Sequence, residues 1–330
     1  MSAKLKSSIS RLARKTVLVL GDVILDEYIT GQATRMSREA PVPVLEMESK
    51  RFIAGGAANP AANIVALGSR AIQVGAIGAD EHGAQLVEVL NHQGIDSAGV
   101  FTCADRPTTV KTRIMAQMGL RFPQQVTRID TISRDPIDRA TEAKIVAFVK
   151  ERIDSLDAVL LSQYHGGLLT PDLVKRIREL CRQHGILLTA DVQGKFERFA
   201  GIDVVKCNAA DAERHLNRDL ASDDDFLAAA AHLHNEFSVK HATIVTMGHR
   251  GAALATDAGT TICPSPQVSD VYDTVGAGDT AIAVISLSLA AGLDAEDSVL
   301  LSNYASGIVV RHLGNYAPSP DELFDSIDND

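Results

Sequence analysis

Asp273-Thr-Val-Gly-Ala-Gly-Asp279 runs straight into an apolar segment that reads as a helix over Ala277–Ala291. Glycines ahead of a helix let backbone N–H groups come close to an anion, and the helix N-terminus adds favourable electrostatics for phosphate. Asp279 falls in the first turn, where it can face the same anion. A carboxylate there would ordinarily repel phosphate. It makes sense if it removes a proton from an attacking hydroxyl while Gly276, Ala277 and Gly278 hold the transferred group through their backbone. Two other readings fit these residues. Gly276-x-Gly278-x-x-Ala281 matches a loose dinucleotide fingerprint, but that pattern normally follows the first strand of a βαβ unit and needs an acidic residue about 20 positions on. A plain glycine-rich helix cap also fits. The chain has no GxxxxGK[ST] loop.

Outward from this motif, short apolar runs alternate with helix-period segments. Thr16–Val23 (TVLVLGDV) reads as a buried strand ending in Gly-Asp, and Ala71–Gly78, Ala158–Ser162, Ile186–Ala190, Asp203–Cys207 and Ala242–Met247 as further strands. Helices are expected over Asn59–Leu67, His82–His92, Asp138–Arg152, Pro171–His184, Asp223–Phe237 and Ala295–Arg311. This alternation predicts an α/β fold, a doubly wound, mostly parallel sheet flanked by helices. Tyr28–Phe52 (with PVPVLEMESKRF) and Thr108–Ser133 (with TTVKTRIMAQ and VTRIDTIS) break the rhythm. Their period-2 alternation predicts antiparallel strands forming a small β lid inserted in the core. The expectation is one domain over residues 1–330, with lid strands within about 28–52 and 108–133.

Composition narrows the function. Hydrophobic residues are 45% of the 330, enough for a sizeable core. The net charge of -10 shows no basic footprint for nucleic acid, and no apolar run reaches the length of a membrane span. Cys103, Cys181, Cys207 and Cys263 form no CxxC pair, which fits a reducing cytosol and argues against zinc or a disulfide framework. No metal site is expected: there is no HExxH, and His232 and His234 point different ways on a helix. There is no GxSxG elbow either. The leading MSAKLKSSISRLARK, with Leu5, Ile9 and Leu12 on one face, reads as a solvated helix, and its basic pattern also fits an organelle transit peptide. Asp22 and Asp26 end the first strand, where open α/β sheets bind ligands. Carboxylates there suit vicinal sugar hydroxyls, or cap a turn.

DTVGAGD resembles the C-terminal signature of the ribokinase-like (PfkB) carbohydrate kinases, and Gly55-Gly56-Ala-Ala-Asn59 resembles the N-terminal one. The resemblance runs from about Val17 to Gly314. It departs at Val275, where a threonine is common. It implies the ribokinase-like fold, ATP with Mg2+, compatibility with a monovalent cation, and Asp279 as the base. Asn59 and the Gly55–Gly56 backbone would complete the sugar side begun by Asp22 and Asp26. Thr246-Met-Gly248-His-Arg-Gly251 looks like the nucleotide-side turn, though an ordinary strand–turn–strand reads the same way. Asn303 lies where the last helix borders adenine, or is an exposed helical asparagine. Asn208-Ala-Ala-Asp211 resembles the Asn-x-x-Glu element that organises magnesium through water, with a shorter aspartate that also suits a helix cap.

Gly21-Asp-Val-Ile-Leu-Asp26-Glu-Tyr28-Ile-Thr-Gly31 followed by Arg35-Met-Ser37-Arg38-Glu39-Ala-Pro-Val-Pro-Val44 is similar to the kinase domain of D-glycero-β-D-manno-heptose 7-phosphate kinases. Arg38 and Pro60 depart from that pattern. The resemblance implies phosphorylation of the anomeric hydroxyl to the 1,7-bisphosphate, in nucleotide-activated heptose synthesis for lipopolysaccharide. A phosphorylated sugar needs cations, and Arg35, Arg38, Lys111, Arg113 and Lys195 are the candidates, each of which could equally be a solvated charge. The chain ends without an HxGH-type motif, so a separate adenylyltransferase is expected later in the pathway. A homodimer through the lid is expected, with Val42, Val44 and Leu45 as interface or lid-core positions, in the cytoplasm and without nucleic-acid or membrane partners. Rival readings are another kinase of the fold (ribokinase or phosphofructokinase type), a nucleotide-dependent dehydrogenase, and a non-catalytic sugar sensor.

Overall fold

The computed structural model describes residues 2–119, 123–268 and 270–328; Leu120–Phe122, inside the second lid stretch, lie outside the described residues. In chain order the elements are α1 (Ser2–Ile9), β1 (Thr16–Gly21), β2 (Val23–Met36), β3 (Pro43–Gly56), α2 (Ala58–Ala66), β4 (Arg70–Gly78), α3 (Glu81–His92), β5 (Asp96–Cys103), β6 (Val110–Gln117), β7 (Gln124–Thr131) and α4 (Arg139–Arg152). There follow β8 (Ala158–Ser162), α5 (Pro171–His184), β9 (Leu187–Asp191), β10 (Val204–Asn208), α6 (Ala209–Leu216), α7 (Asp223–Glu236), β11 (Ala242–Thr246), β12 (Ala252–Thr256), β13 (Gly259–Cys263), α8 (Ala277–Ala290), α9 (Ala295–Val309) and α10 (Pro320–Asp328).

The large sheet has nine strands in the order β13-β12-β11-β10-β9-β8-β1-β4-β5. From β11 to β5 every pairing is parallel, and β12 and β13 add an antiparallel edge. The side-chain period of two divides each central strand between two cores. In β1, Val17 and Val19 face one side with α2 and α8, and Leu18 and Leu20 face the other with α4 and α5. β8 divides likewise, Ala158 and Leu160 against Val159 and Leu161. A sheet buried on both faces is why these strands read as unbroken apolar runs. Helix ends follow their sequence signals. Thr170 caps α5 by accepting from Leu173 N, Pro171 opens that helix, and Gly185 closes it at φ +67.

Four strands in the order β3-β2-β6-β7 form the second sheet. Two expectations need correction here. The outer pairs are antiparallel, but the central pair β2–β6 is parallel, because both strands leave the large sheet from the same end. The lid also starts earlier, at Val23, so that Asp26 lies on its root. The leading helix is not solvated: Leu5, Ile9 and Leu12 are buried, and α1 packs against α10. That partner begins only at Pro320, at the other end of the chain, and has no local sign. Strands β5 and β13 were not anticipated, and β12 entered only through the alternative strand–turn–strand reading of Thr246–Gly251; the alanine, glycine and serine content of β5 and β12 carries weak strand propensity. Their pairing with β4 and β11 supplies the order instead.

Candidate active site

The site lies beyond the carboxyl ends of β1, β8, β9 and β10, where α8 begins. Gly276 precedes α8 at φ +85, and a Cβ there would stand 2.8 Å from Asn59 Nδ2. Glycine meets both demands. Asp279 in the first turn is buried, 7% exposed. Its Oδ2 accepts from Asn59 Nδ2 at 2.9 Å and its Oδ1 from the Tyr164 hydroxyl at 2.5 Å. The two helices that carry Asn59 and Asp279 are locked together, because Thr280 donates to Asn63 Oδ1 at 2.9 Å. Burial pushes the Asp279 carboxyl up to about 6, and the Asp191 charge adds to this. Hydrogen bonds from Tyr164 and Asn59, with the Lys206 ammonium, work against it. Such a carboxylate can take a proton from a hydroxyl near neutral pH.

Beneath α8 lies a buried ion pair that the sequence reading missed. Lys206 on β10 is the register partner of Asp191 on β9, and its Nζ lies 3.0 Å from both carboxylate oxygens. Two residues earlier on the same face of β9, Thr189 bonds Ser286 of α8 at 2.7 Å, so this face packs against α8. Burial pushes the Asp191 carboxyl up and Lys206 opposes that. An apolar pair of similar volume usually serves stability as well or better, so retaining charges here points to the site rather than to the core. The available signal was a lysine in the middle of the apolar strand VVKCN and an aspartate at the end of LLTAD.

The lid root closes the other side. Asp26 receives Arg113 Nη1 at 2.5 Å and Asn315 Nδ2 at 3.3 Å. A Cβ on Gly55 would run into its carboxylate, and one on Gly276 would lie 3.3 Å from Asn315 Oδ1. Asn315, also absent from the sequence candidates, thus ties the lid root to the glycine loop. Gly56, at φ +57, turns β3 into α2, and a Cβ there would stand 2.5 Å from Asp22 O. Two residues apart on one face of β6, Arg113 stacks its guanidinium 5.1 Å from the Tyr28 ring and Lys111 sets its ammonium 5.6 Å from the Tyr164 ring. Burial pushes the Lys111 ammonium pKa down. Among the described residues Lys111 forms no ion pair.

Other sequence candidates take different places. The oxygens of Asp22 accept from Tyr164 N at 2.9 Å and Leu168 N at 3.1 Å, so it fastens the loop after β8. Arg35 stands nine residues beyond Asp26 along β2, about 30 Å at a strand rise of 3.3 Å per residue. Arg35 and Arg38 line an outer hollow with Ser37, Glu39 and Val44, so neither leans toward the site of its own chain. Lys195 is exposed, with φ +53, at the head of a short 3-10 turn.

The nucleotide-side candidates lie at the ends of β10 and β11 and on α9. Asn208 caps α6 by accepting from Asp211 N at 2.8 Å, and Asp211 accepts from Arg214 at 2.7 Å. Thr246 donates to Cys207 O at 3.3 Å. Gly248 and Gly251 turn β11 into β12; Gly248 at φ +63 faces open space, and Gly251 at φ +98 closes against Cys263 and Ser265. Asn303 is buried rather than exposed, and its amide holds Cys263 O at 2.9 Å and Pro264 O at 3.0 Å. Beside it a cavity of about 470 Å³, lined by Pro266, Val268, Tyr272, Gly307, Arg311 and His312, separates the loop after β13 from α9. Ser306 on α9 donates to Ala277 O at 3.0 Å, joining this cavity's wall to the glycine loop. Among the described residues no group of three or more His, Cys, Asp or Glu side chains could hold a metal ion, and no helix is long and apolar enough to cross a membrane.

Residues 14–322 match the model of the pfkB family carbohydrate kinases. "Bifunctional protein HldE" of Helicobacter pylori (strain HPAG1) is 34% identical over 310 residues, covering 94% of this chain and 65% of that protein. "Bifunctional protein HldE" of Geobacter metallireducens is 35% identical over 311 residues, covering 94% and 62%. The chain therefore spans about two thirds of the length of these relatives. Among solved structures, the ribokinase of Arabidopsis thaliana complexed with ribose and ATP superimposes with a TM-score of 0.72 at 20% identity, covering 96% of this chain and 99% of that one. Phosphofructokinase-2 from Escherichia coli in complex with fructose-6-phosphate gives 0.74 at 20% identity, with the same coverage. These two likenesses establish the ribokinase-like fold.

Proposed function

This chain belongs to the pfkB family of carbohydrate kinases, and from that premise we propose that it transfers the γ-phosphoryl group of ATP to the anomeric (C1) hydroxyl of D-glycero-β-D-manno-heptose 7-phosphate. The observation that carries the reading is Asp279, a buried carboxylate in the first turn of α8, directly after a glycine loop and across from Asp26 on the lid root. In the proposed step the C1 oxygen attacks the γ-phosphorus as its proton passes to Asp279. The bond from that phosphorus to the β–γ bridging oxygen breaks, and ADP leaves. The N–H groups of the glycine loop face the charge that gathers on the transferred group. Asp26 and Asn59 orient the sugar, and the lid excludes water that would compete as nucleophile. Asn208 and Asp211 fit a water-mediated contact to a magnesium ion, because Asp211 has one oxygen outside its bond to Arg214; that ion would neutralise charge on the ATP phosphates.

Lys111 is the cation best suited to the substrate's own phosphate. Arg113 is taken up by Asp26, and Arg35 and Arg38 lie far along the lid. Among the described residues the half-buried Lys111 ammonium forms no ion pair, and such a group gains most from an incoming anion. The pathway reading, a place in ADP-heptose and lipopolysaccharide synthesis, rests on the likeness to the relatives above. So does the expectation that adenylyl transfer follows; its catalyst belongs to the proposal. The cavity beside Asn303 is assigned to the nucleotide base.

A homodimer through the lid is part of the same reading. Met36, Met47, Met118, Val126 and Ile129 on or beside the lid strands are exposed, as is Val42, while Val44 and Leu45 are half-buried. A second lid would cover this apolar surface. The product tests the chemistry: 31P NMR after incubation with ATP and the heptose 7-phosphate should show a new anomeric phosphate beside the retained 7-phosphate. A new phosphate on any other carbon would overturn the C1 assignment.

A further inference from the structure

The hydroxyl of Tyr164 reaches the carboxylate assigned as the base, and neither the glycine motifs nor the sugar-side pattern includes it. Tyr164 lies on the loop that leaves β8, Gln163-Tyr-His-Gly-Gly-Leu-Leu169. That loop is fastened at several points. Asp22 at the end of β1 accepts from the backbone N–H of Tyr164 and of Leu168. Gly166 lies so close that a Cβ there would stand 2.7 Å from Asp22 Oδ1, and Arg106 donates to Gly166 O. His165 is held at φ +57, a conformation that a non-glycine residue keeps only when its surroundings impose it. The Lys111 ammonium lies over the ring. A loop held this firmly fixes where the phenol oxygen points.

We propose that Tyr164 positions the Asp279 carboxylate for proton transfer, and that Asp22 acts on the base through the loop carrying Tyr164. The proposal rests on the reading of Asp279 as the base. Tyr164 is the donor, because the ionised carboxylate can only accept. Burial and the Asp279 charge keep the phenol protonated well above its ordinary range. One oxygen of Asp279 is therefore committed to Tyr164 and the other to Asn59, which sets the plane of the carboxylate and the lone pairs left for the sugar hydroxyl. Three titratable groups face Asp279: Tyr164 from the loop after β8, Asp191 from β9 and Lys206 from β10. Asn59 from α2 is neutral. The hydrogen bond from Tyr164 favours the ionised form, so its removal raises the proton affinity of Asp279.

The test is Tyr164→Phe in the full chain, which keeps the ring and deletes only the hydroxyl. With 13C-labelled aspartate, and the Asp279 resonance assigned through Asp279→Asn, the titration midpoint of Asp279 should move upward by more than about half a pH unit. In turnover, kcat should fall about 10- to 100-fold, the range for a hydrogen bond to a charged group, while KM for ATP changes less than about twofold. Should Tyr164→Phe melt far below the wild type, Asp22→Asn gives the second arm. It loses one of two backbone bonds, so the same midpoint should move in the same direction by less. An unmoved midpoint in a folded Tyr164→Phe would overturn the proposal and leave the base assignment standing. Undiminished turnover in Asp279→Asn would remove the base, and this proposal with it.

Discussion

Gly278 stands directly over the Lys206 ammonium: a Cβ added to it would lie 2.9 Å from Nζ. On the proposed reading the glycine loop faces the transferred phosphate on one side, and Gly278 packs against the Asp191–Lys206 pair on the other. Blocking the approach of the γ-phosphate is only part of what a side chain would do. Gly278→Ala must push Lys206 from a carboxylate that holds it at 3.0 Å to both oxygens. We expect a loss of about 1–3 kcal/mol in stability, the usual overpacking penalty, and a larger one for Gly278→Val. Denaturant unfolding measures it. A Gly278→Ala variant as stable as the wild type would mean that Lys206 is free to leave its place.

Asp279→Asn should lower kcat about 10²–10⁴-fold, the usual contribution of a general base, with ATP still binding by calorimetry. The pH profile has a definite sign. Asp279 must be ionised to accept the proton, and burial raises its carboxyl to about 6. Turnover should rise through about pH 6 and flatten above it. A limb near pH 4 would place the base in water rather than buried in the first turn of α8.

Lys111→Met should raise KM for the phosphorylated sugar about 10- to 100-fold, the worth of a hydrogen bond to a charged group, and change KM for ATP little. Equal effects on both substrates would remove Lys111 from the phosphate site. Because Arg38 lies in the turn beyond the far end of β2 from Asp26, an equally large effect of Arg38→Ala would mean that it acts on the partner chain.

Light scattering should find a dimer at micromolar concentration. Replacing Met47 and Ile129, exposed at 69% and 58%, with lysine should dissociate it while leaving the large sheet folded by circular dichroism. A wild-type monomer at that concentration would remove the lid-to-lid interface.

The doubly wound sheet was legible in the sequence because its strands are apolar on both faces and most of its helices, α3 to α7 and α9, begin at a side-chain cap. The glycine loop was legible because its backbone demands leave glycines at fixed spacing, and Asn59 through the Gly55–Asn59 motif that resembles the family's N-terminal signature. Tyr164, Asp191, Lys206 and Asn315 were not. Tyr164 and Asp279 are separated by 115 residues, and each of these side chains is ordinary in its local sequence. Its role comes only from what the fold brings beside it. Arg35 and Arg38 show the reverse limit: their chemistry suits a phosphate, but the length of β2 carries them away from their own site. Asp22 shared an expectation with Asp26, and only the loop after β8 tells them apart.

The most direct measurement is ATP turnover by the full chain with D-glycero-β-D-manno-heptose 7-phosphate beside fructose 6-phosphate and ribose. The account predicts kcat/KM for the heptose 7-phosphate at least about 100-fold above the other two, the discrimination that a cation and a shaped sugar pocket can supply. Preferred turnover of ribose or fructose 6-phosphate would contradict the substrate. No ATP-dependent phosphorylation of any of the three would contradict the reading of Asp279 and the glycine loop as a phosphoryl-transfer site for these sugars.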